Sequence, residues 1–580
     1  MAKIETQKKH RRVFNKKKTK HYYERVSDIK DFCKVISKHG DRVLYSYFDK
    51  SRKLHDMTYA ELHENVLKLS AGLTEMGLAG KKIAIIGETS PQWVMTYLAT
   101  LASGGIVIPL DKELAIDVIE GFMDRVEADV LVYSGSFNGK FANAMESHKS
   151  LSTFIAIAPT EAELNSSSKI VAFEDVLNKG TDAVANGYEI PAVKNREGVA
   201  EYLFTSGTTG TSKCVMLSQK NIFAAVSSAA ETVDFTPDDT IVSLLPIHHT
   251  YELACMLAAM DYGMHICIND SITHVLKNLQ IFKPTGLVLV PLYVYTFYKK
   301  IWSEAKKTGR DKMLKVGVVA ARTLRDVGID KRRSIFAEVL NSFGGRLEKI
   351  VCGGAALNPN MITFFETLGI SVYEGFGITE CSPLVCVTPY YARKYGSVGP
   401  AVPCCQVRID VNDVNDLGYD EGEIQVKGDN VMLGYFGDEE ATRNAFTDDG
   451  WFRTGDIGYL DDDNYCFITG RLKSVIVLES GKNVFPEEIE EYLGDIDTIS
   501  ECVVVGRPKD SDVILTAIVY PDFTKFPEGE SLENIHTEIY NAVNALNKSL
   551  PSYKHIQSVE LRETEFEKTT SRKIKRHLVK

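Results

Sequence analysis

The sequence predicts an α/β protein: a large N-terminal body of parallel sheets covered by helices, then a β-barrel-like unit, then a small, mobile α+β domain. Three observations carry this. As far as about Ser397, short apolar runs ending at Gly, Pro or Ser alternate with longer segments of helical spacing, the pattern of helix-covered parallel sheets. Beyond it, "CQVRIDV", "GEIQVKG" and "GYLDDDNYCFITG" alternate over short spans with tight turns, as antiparallel strands do. Past "GRLKS", residues 473–580 mix strand and helix patterns over a length sufficient for a separate domain.

Taken in order, "KKIAIIGE", "ADVLVYSG", "VAEYLF", "TIVSLLP", "GLVLVP" and "LEKIVCGG" read as buried strands. Thr58–Met76 has helical spacing between the strands. Val94–Leu110, the longest apolar region, is broken by Gly104-Gly105; it reads as a buried helix passing into a strand, not as a membrane span. In the last domain "ECVVVG" and "VILTAIVYP" are strands, and "EEIEEYL" reads as the wet face of a helix. The expected boundaries are a basic arm over 1–26, a large domain over 27–472 with its β-rich unit at about 397–470, and a C-terminal domain over 473–580.

The chain has 580 residues, 44% hydrophobic and 25% charged, which excludes disorder for most of it. Its start has no apolar signal core. Eleven cysteines without a C-x-x-C pair suit reduced cytosolic thiols, and Cys404-Cys405 reads as packing. Net charge is −11, yet Lys8–Lys20 holds eight Lys/Arg and no acid, leaving −19 elsewhere. An acidic body argues against nucleic acid as a partner. The arm reads as a solvated tail; peripheral contact with an anionic membrane is the alternative, with only Val13 and Phe14 to help it insert.

Chemistry concentrates in four stretches. "YLFTSGTTGTSK" (Tyr202–Lys213) passes from an apolar strand into hydroxyls and glycines. Backbone N–H groups in such a loop form an anion-binding concavity. Thr205, Ser206, Thr208 and Thr209 add donors and Lys213 a charge, which suits a triphosphate. The P-loop spacing fails: Gly207 and Gly210 are three apart and Lys213 is detached. A polar linker is the plain alternative, but a linker rarely follows a buried strand so tightly. The loop sits at a strand's carboxyl end, where α/β sheets bind ligands. In "VYEGFGITECSP" (Val372–Pro383), Gly375 and Gly377 let backbone approach a flat ligand beside Phe376, and Glu380 next to Thr379 offers hard oxygen to Mg²⁺; a turn around a buried Phe is the plainer reading. "GWFRTGDIG" places Asp456 between glycines, suited to ribose hydroxyls. "GRLKS" supplies Arg471 and Lys473.

In this order the four stretches resemble the adenylate-forming superfamily, from about Tyr59 to Lys580. "LPIHHTYE" (Leu245–Glu252), "VLVPLYVYTFYKKI", "GGAALNP" and "GKNVFPEEIE" are similar to its long-chain fatty acyl-CoA synthetase branch. The resemblance implies ATP, Mg²⁺ and CoA as cofactors and co-substrates, and a fatty acid as substrate. It puts Thr205, Ser206, Gly207, Thr208, Thr209 and Gly210 on the phosphates, with Lys213 screening pyrophosphate. Gly354 and Phe376 would flank adenine, within the stretch Glu374, Gly375, Phe376, Gly377 and Thr379. Asp456 and Arg471 would hold ribose, and Glu380 with Thr205 the metal. His249 would line the carboxylate end of the acyl path, with Tyr251 and Pro291 along it. Gly481 and Lys482 would flank pantetheine, Lys473 would be the hinge of a C-terminal lid, and Lys573 the catalytic lysine. His248 and His249, as strand neighbours, would face opposite ways and not chelate.

Two positions depart from the pattern. "KTTSRKIKR" has Arg572 where glycine is usual, although Thr570, Ile574 and Arg576 match, and Ser474 stands where an acid is common. Rival functions are a ligase for another acid, loading of acyl carrier protein, and a noncatalytic protein that binds acyl-adenylate. Pyrophosphate exchange with a panel of acids separates the first two; absent AMP production would favour the last.

Overall fold

The computed structural model describes residues 13–14, 22–148, 150–205, 212–415, 417–478, 483–509, 512–569 and 574–579. The first long helix, Tyr59–Glu75, starts where Thr58 and Glu61 form a reciprocal capping box. Leu62, Val66, Leu69 and Leu73 then repeat at helical spacing and are all buried. Ser90 caps the next helix, Pro91–Ala102, and the chain turns at Gly104-Gly105 into the strand Ile106–Leu110, as the broken apolar run predicts.

Two eight-stranded sheets form the body. One runs in the order Gly434–Tyr435, Lys213–Ser218, Val199–Thr205, Ile106–Leu110, Lys82–Ile86, Val130–Ser134, Thr153–Ile157, Ile170–Ala172. It is parallel from Val199–Thr205 onward, while its first two strands pair antiparallel. The other has six central parallel strands, including Thr240–Ser243, Gly286–Leu289, Lys349–Gly353 and Ser371–Gly377, with an antiparallel strand at each edge. The helices Gln219–Thr232 and Thr250–Tyr262 pack together and bury apolar faces in the largest core.

The β-rich unit is a four-stranded antiparallel sheet: Cys405–Val414, Asp420–Gly428, Phe452–Leu460, Cys466–Arg471. Its strands run in sequence order as an open meander, and no closed barrel forms among the described residues. Closure needs a shear that strand patterns do not carry. The last domain has a core of its own, in which Ile489, Leu493, Val504, Leu515, Ile535 and Ile539 meet.

Two expectations are corrected. The glutamates of Pro486–Leu493 are not a wet face: Glu490 accepts from the Val504 amide at 2.6 Å and pairs with Arg576, and Glu488 binds Lys554 at 2.7 Å. Distant basic residues and edge amides claim carboxylates that the local pattern hands to solvent. The arm is not wholly a free tail either, since Val13 and Phe14 pair antiparallel with Arg393 and Ala392; most of Lys8–Lys20 lies outside the described residues.

A buried acid inside the body gives a pH test. Glu201 accepts a 3.2 Å hydrogen bond from the Tyr97 hydroxyl, and burial pushes its carboxyl up to about 8. In the unfolded chain it ionises near pH ~4.3. The folded state therefore keeps a proton that the unfolded chain releases. Its stabilising contribution is complete below that lower value and is lost as pH rises through about 8. Glu201→Gln removes this titration, so its unfolding free energy in urea titrations should fall less than the parent's between about pH 5 and about pH 8, a difference of at most ~3–4 kcal/mol. Equal falls in both proteins would refute it.

Candidate active site

The Ser/Thr/Gly loop closes a hairpin. Thr205 ends one strand and Lys213 begins its antiparallel partner, directly opposite. Ser206, Gly207, Thr208, Thr209 and Gly210 lie outside the described residues, but both ends of their loop are fixed by this register. From Lys213 the chain returns as a strand, whereas a P-loop leads into a helix N-terminus.

Lys213 leads to Glu380 through a residue with no sequence signal. Tyr435 pairs beside the Lys213 strand, opposite Val215. The Lys213 ammonium lies 4.1 Å from the centroid of its ring, a cation–π contact. The Tyr435 hydroxyl donates to Glu380 Oε1 at 2.9 Å. Burial, then the charge of Glu380, push the Tyr435 phenol up, so the hydroxyl stays a donor. The Glu380 carbonyl also accepts from the Met432 amide at 2.8 Å. Thr379 and Glu380 stand on a short turn, Thr379–Cys381, reached because the strand Ser371–Gly377 doubles back. Gly377 permits this: a Cβ there would lie 2.3 Å from the Pro383 carbonyl oxygen. Tyr435→Phe keeps the ring under Lys213 and removes the donor to Glu380. It should slow pyrophosphate exchange about tenfold, the worth of one hydrogen bond to a charged group; an unchanged rate would make Tyr435 a packing residue only.

Thr205, Lys213, Tyr435 and Glu380 thus share one wall. No group of three or more His, Cys, Asp or Glu side chains converges as a metal cage among the described residues. One carboxylate beside hydroxyls and a phosphate loop still suits Mg²⁺, which is held by one or two carboxylates plus substrate phosphates.

Asp456 and Arg471 are opposite one another across two strands, with Arg471 Nε 2.9 Å from Asp456 Oδ1. Asp456 is buried while the guanidinium is half exposed. Lys473 follows at once, in the turn Leu472–Ser474. Glu374 is buried, and its carboxyl is pushed up by burial and then by Glu491 of the last domain. That domain also meets the body where the Asn358 amide donates to Asp495 at 2.6 Å and where Lys299 pairs with Asp522 at 3.3 Å.

Beneath Gly375–Gly377 lies an apolar cavity that opens to solvent. Small residues make the room: Ala225 and Ala229 on one helix, Ala254 and Ala258 on the next, with Gly353, Gly354, Gly375 and Gly377 on the sheet. Gly354 has φ +88°, a backbone conformation that favours glycine. Tyr251, Ala254, Cys255, Ala258, Ala259 and Tyr262 line the cavity from one face of a single helix. At 1.5 Å per residue they span about 16 Å. The upper end is fixed by Tyr251, whose ring a Cβ on Gly353 would meet at 3.2 Å, Gly353 itself pairing with Gly375. At the lower end Tyr262 meets Phe235.

Other expected residues fall elsewhere. Phe376 is buried and lines this cavity. The Tyr251 hydroxyl donates to the carbonyls of Leu289 and Val351, both at 3.2 Å. His249 stands at the N-cap position of the helix Thr250–Tyr262, with no side-chain cap bond, and Pro291 starts the helix Pro291–Lys307; neither lines the cavity. His248 and His249 are not on a strand. They follow Pro246 in a turn and their rings are 4.3 Å apart, so strand alternation does not separate them. His248 faces Asp111 at 3.6 Å, and burial pushes its imidazole down. Gly481, Lys482, Arg572 and Lys573 lie outside the described residues.

Comparison with known proteins gives consistent matches. A family model described as AMP-binding enzyme matches residues 32–436, and one described as AMP-binding enzyme C-terminal domain matches 473–580. Long-chain-fatty-acid–CoA ligase FadD15 of Mycobacterium bovis is 29% identical over 476 residues, covering 78% of this chain and 76% of its own. Human long-chain-fatty-acid–CoA ligase 1 is 29% identical over 479 residues, 76% of this chain and 65% of its own. The crystal structure of ATP-bound MatB from Rhodopseudomonas palustris shares the fold, with a TM-score of 0.72 at 23% identity over 95% of this chain and 98% of its own.

Proposed function

This chain belongs to the AMP-binding enzyme family, and we propose that it is an AMP-forming acyl-CoA synthetase that activates long-chain fatty acids. The observation that carries this is the apolar cavity, whose lining runs about 16 Å along one helix, beside the turn that presents Glu380. An extended chain with C–C bonds of ~1.5 Å advances about 1.3 Å per methylene along its axis, so about twelve span that length. Gly377 and Pro383 of its lining flank the turn that carries Glu380. That two relatives are long-chain-fatty-acid–CoA ligases supports the same class.

In this reading a carboxylate oxygen attacks the α-phosphorus of ATP, and the bond to the bridging oxygen breaks to release pyrophosphate. Both reactants are anionic, so positioning and charge neutralisation are the main tasks. Thr205–Gly210 hold the phosphates and Lys213 draws charge from the leaving pyrophosphate. Mg²⁺, held by Glu380 and Thr205, supplies further neutralisation when bound. Asp456 takes the ribose hydroxyls, with Arg471 keeping its carboxylate in register. Lys573 bridges the carboxylate and α-phosphate oxygens. The CoA thiolate then attacks the acyl carbon and AMP leaves, with no covalent enzyme intermediate. Residues 473–580 act as a lid turning at Lys473, which brings Gly481 and Lys482 to the pantetheine path.

The test is coupled AMP release across acids from acetate to octadecanoate, with CoA or acyl carrier protein as acceptor. Long acids with CoA should give the highest kcat/KM. Best activity on acetate or an aryl acid would overturn the substrate class, preference for carrier protein the acceptor, and no AMP with any acid the enzymatic reading.

A further inference from the structure

We infer that the outward face of the helix Asp311–Asp326, with the loop after it, is a docking surface for an anionic membrane. The helix packs inward through Leu314 and Ala321. It turns Met313, Val316 and Val319 outward, 63%, 67% and 65% exposed, and Val327 just past its end is 69% exposed. Among the described residues, only Ile272 at 61% joins these four above 60% for a large apolar side chain. Scattered exposed apolar residues are ordinary, but four within one helix and its exit are a patch.

Charge selects the partner. Residues 299–333 carry twelve Lys and Arg against four Asp and Glu, a net +8 in a chain of −11. Ion pairs within the described residues engage Lys299 with Asp522, Arg310 with Glu338 and Arg332 with Asp330. Lys306, Lys307, Lys312 and Lys315 stay exposed around the apolar row. Nucleic acid would take the lysines and gain little from three protruding aliphatic side chains. An acidic lipid surface takes both, since apolar groups enter the acyl boundary while lysines meet the headgroups. The helix Pro291–Lys307 joins this face to the strand Gly286–Leu289, whose Val288 lines the cavity. Docking rests on exposure and charge alone and does not require the acyl-CoA reading.

The experiment is cosedimentation of the full chain with phosphatidylcholine vesicles, with and without phosphatidylserine, at low and high salt. The parent should bind the serine-lipid vesicles in a salt-sensitive way. The triple variant Met313→Ser, Val316→Ser, Val319→Ser and the double variant Lys312→Glu, Lys315→Glu should each bind about tenfold more weakly or worse. All five side chains are exposed, so thermal midpoints should stay at the parent's. A chain lacking residues 1–26 should bind as the parent does. Failure of the parent to bind, equal binding by either variant, or equal binding to neutral vesicles would overturn the proposal. Loss of binding on removing the arm would move the site to the arm. RNA binding in place of vesicle binding would overturn it in favour of a nucleic-acid surface.

Discussion

Lys573→Ala is expected to lower acid-dependent pyrophosphate exchange by about a hundredfold to a thousandfold, the range for removing one group aimed at developing transition-state charge. Thioester formation from supplied acyl-adenylate should stay near the parent's rate, because the α-phosphate is then already substituted. Two of its basic neighbours are held by other groups. Lys568 and Ile574 form an antiparallel bridge, which pins both ends of the stretch that carries Lys573. Lys568 is engaged by Glu501 and, at 2.7 Å, by Glu565. Arg576 is engaged by Glu487 and Glu490 and ties the tail to the helix Pro486–Leu493. Lys473→Pro should give the opposite split, since proline fixes φ near −65° and restricts the residue before it at the proposed hinge. Normal exchange by Lys573→Ala would reassign the role, first to Lys575. Equal slowing of both steps by Lys473→Pro would make the last domain fixed.

The sequence carried the parts of this site whose chemistry is local. Thr58 and Glu61 announce a helix start because a capping box is complete within four residues. Thr205 and Lys213 mark the two ends of the Ser/Thr/Gly loop because the apolar strand pattern stops and restarts there, and the two residues are paired across the hairpin. Tyr435 was illegible: its role comes from pairing with a strand that begins more than two hundred residues earlier, and no local pattern sets it apart from other tyrosines. The glutamates after Pro486 were misread for the same reason, their partners Arg576, Lys554 and the Val504 amide being remote. His248 and His249 leave the strand that their apolar run predicts, because it stops at Ser243, before Pro246, which has no amide for the ladder. The cavity was legible only through family resemblance. Alanines on two helices vacate it, and alanine in a helix ordinarily signals propensity rather than space.

Those alanines set the second large effect. Ala258 lies seven residues below Tyr251 on the cavity-lining helix, about 10 Å down at helical rise. Ala258→Phe should place a ring across the cavity there and leave room for about seven or eight methylenes rather than twelve. Roughly four methylenes would lose their burial at ~0.8 kcal/mol each, about 3 kcal/mol in all. The kcat/KM for hexadecanoate should therefore fall about a hundredfold or more relative to the parent, while octanoate is used nearly as before. Retained octanoate activity distinguishes a shortened cavity from a damaged fold, since overpacking strain would reduce both acids together. Ala229, on the other helix wall, gives an independent check, because Ala229→Phe should shift the profile in the same direction. An unaltered chain-length profile in both variants would mean that the acyl chain runs elsewhere, and the assignment of this cavity to the substrate would fall with it.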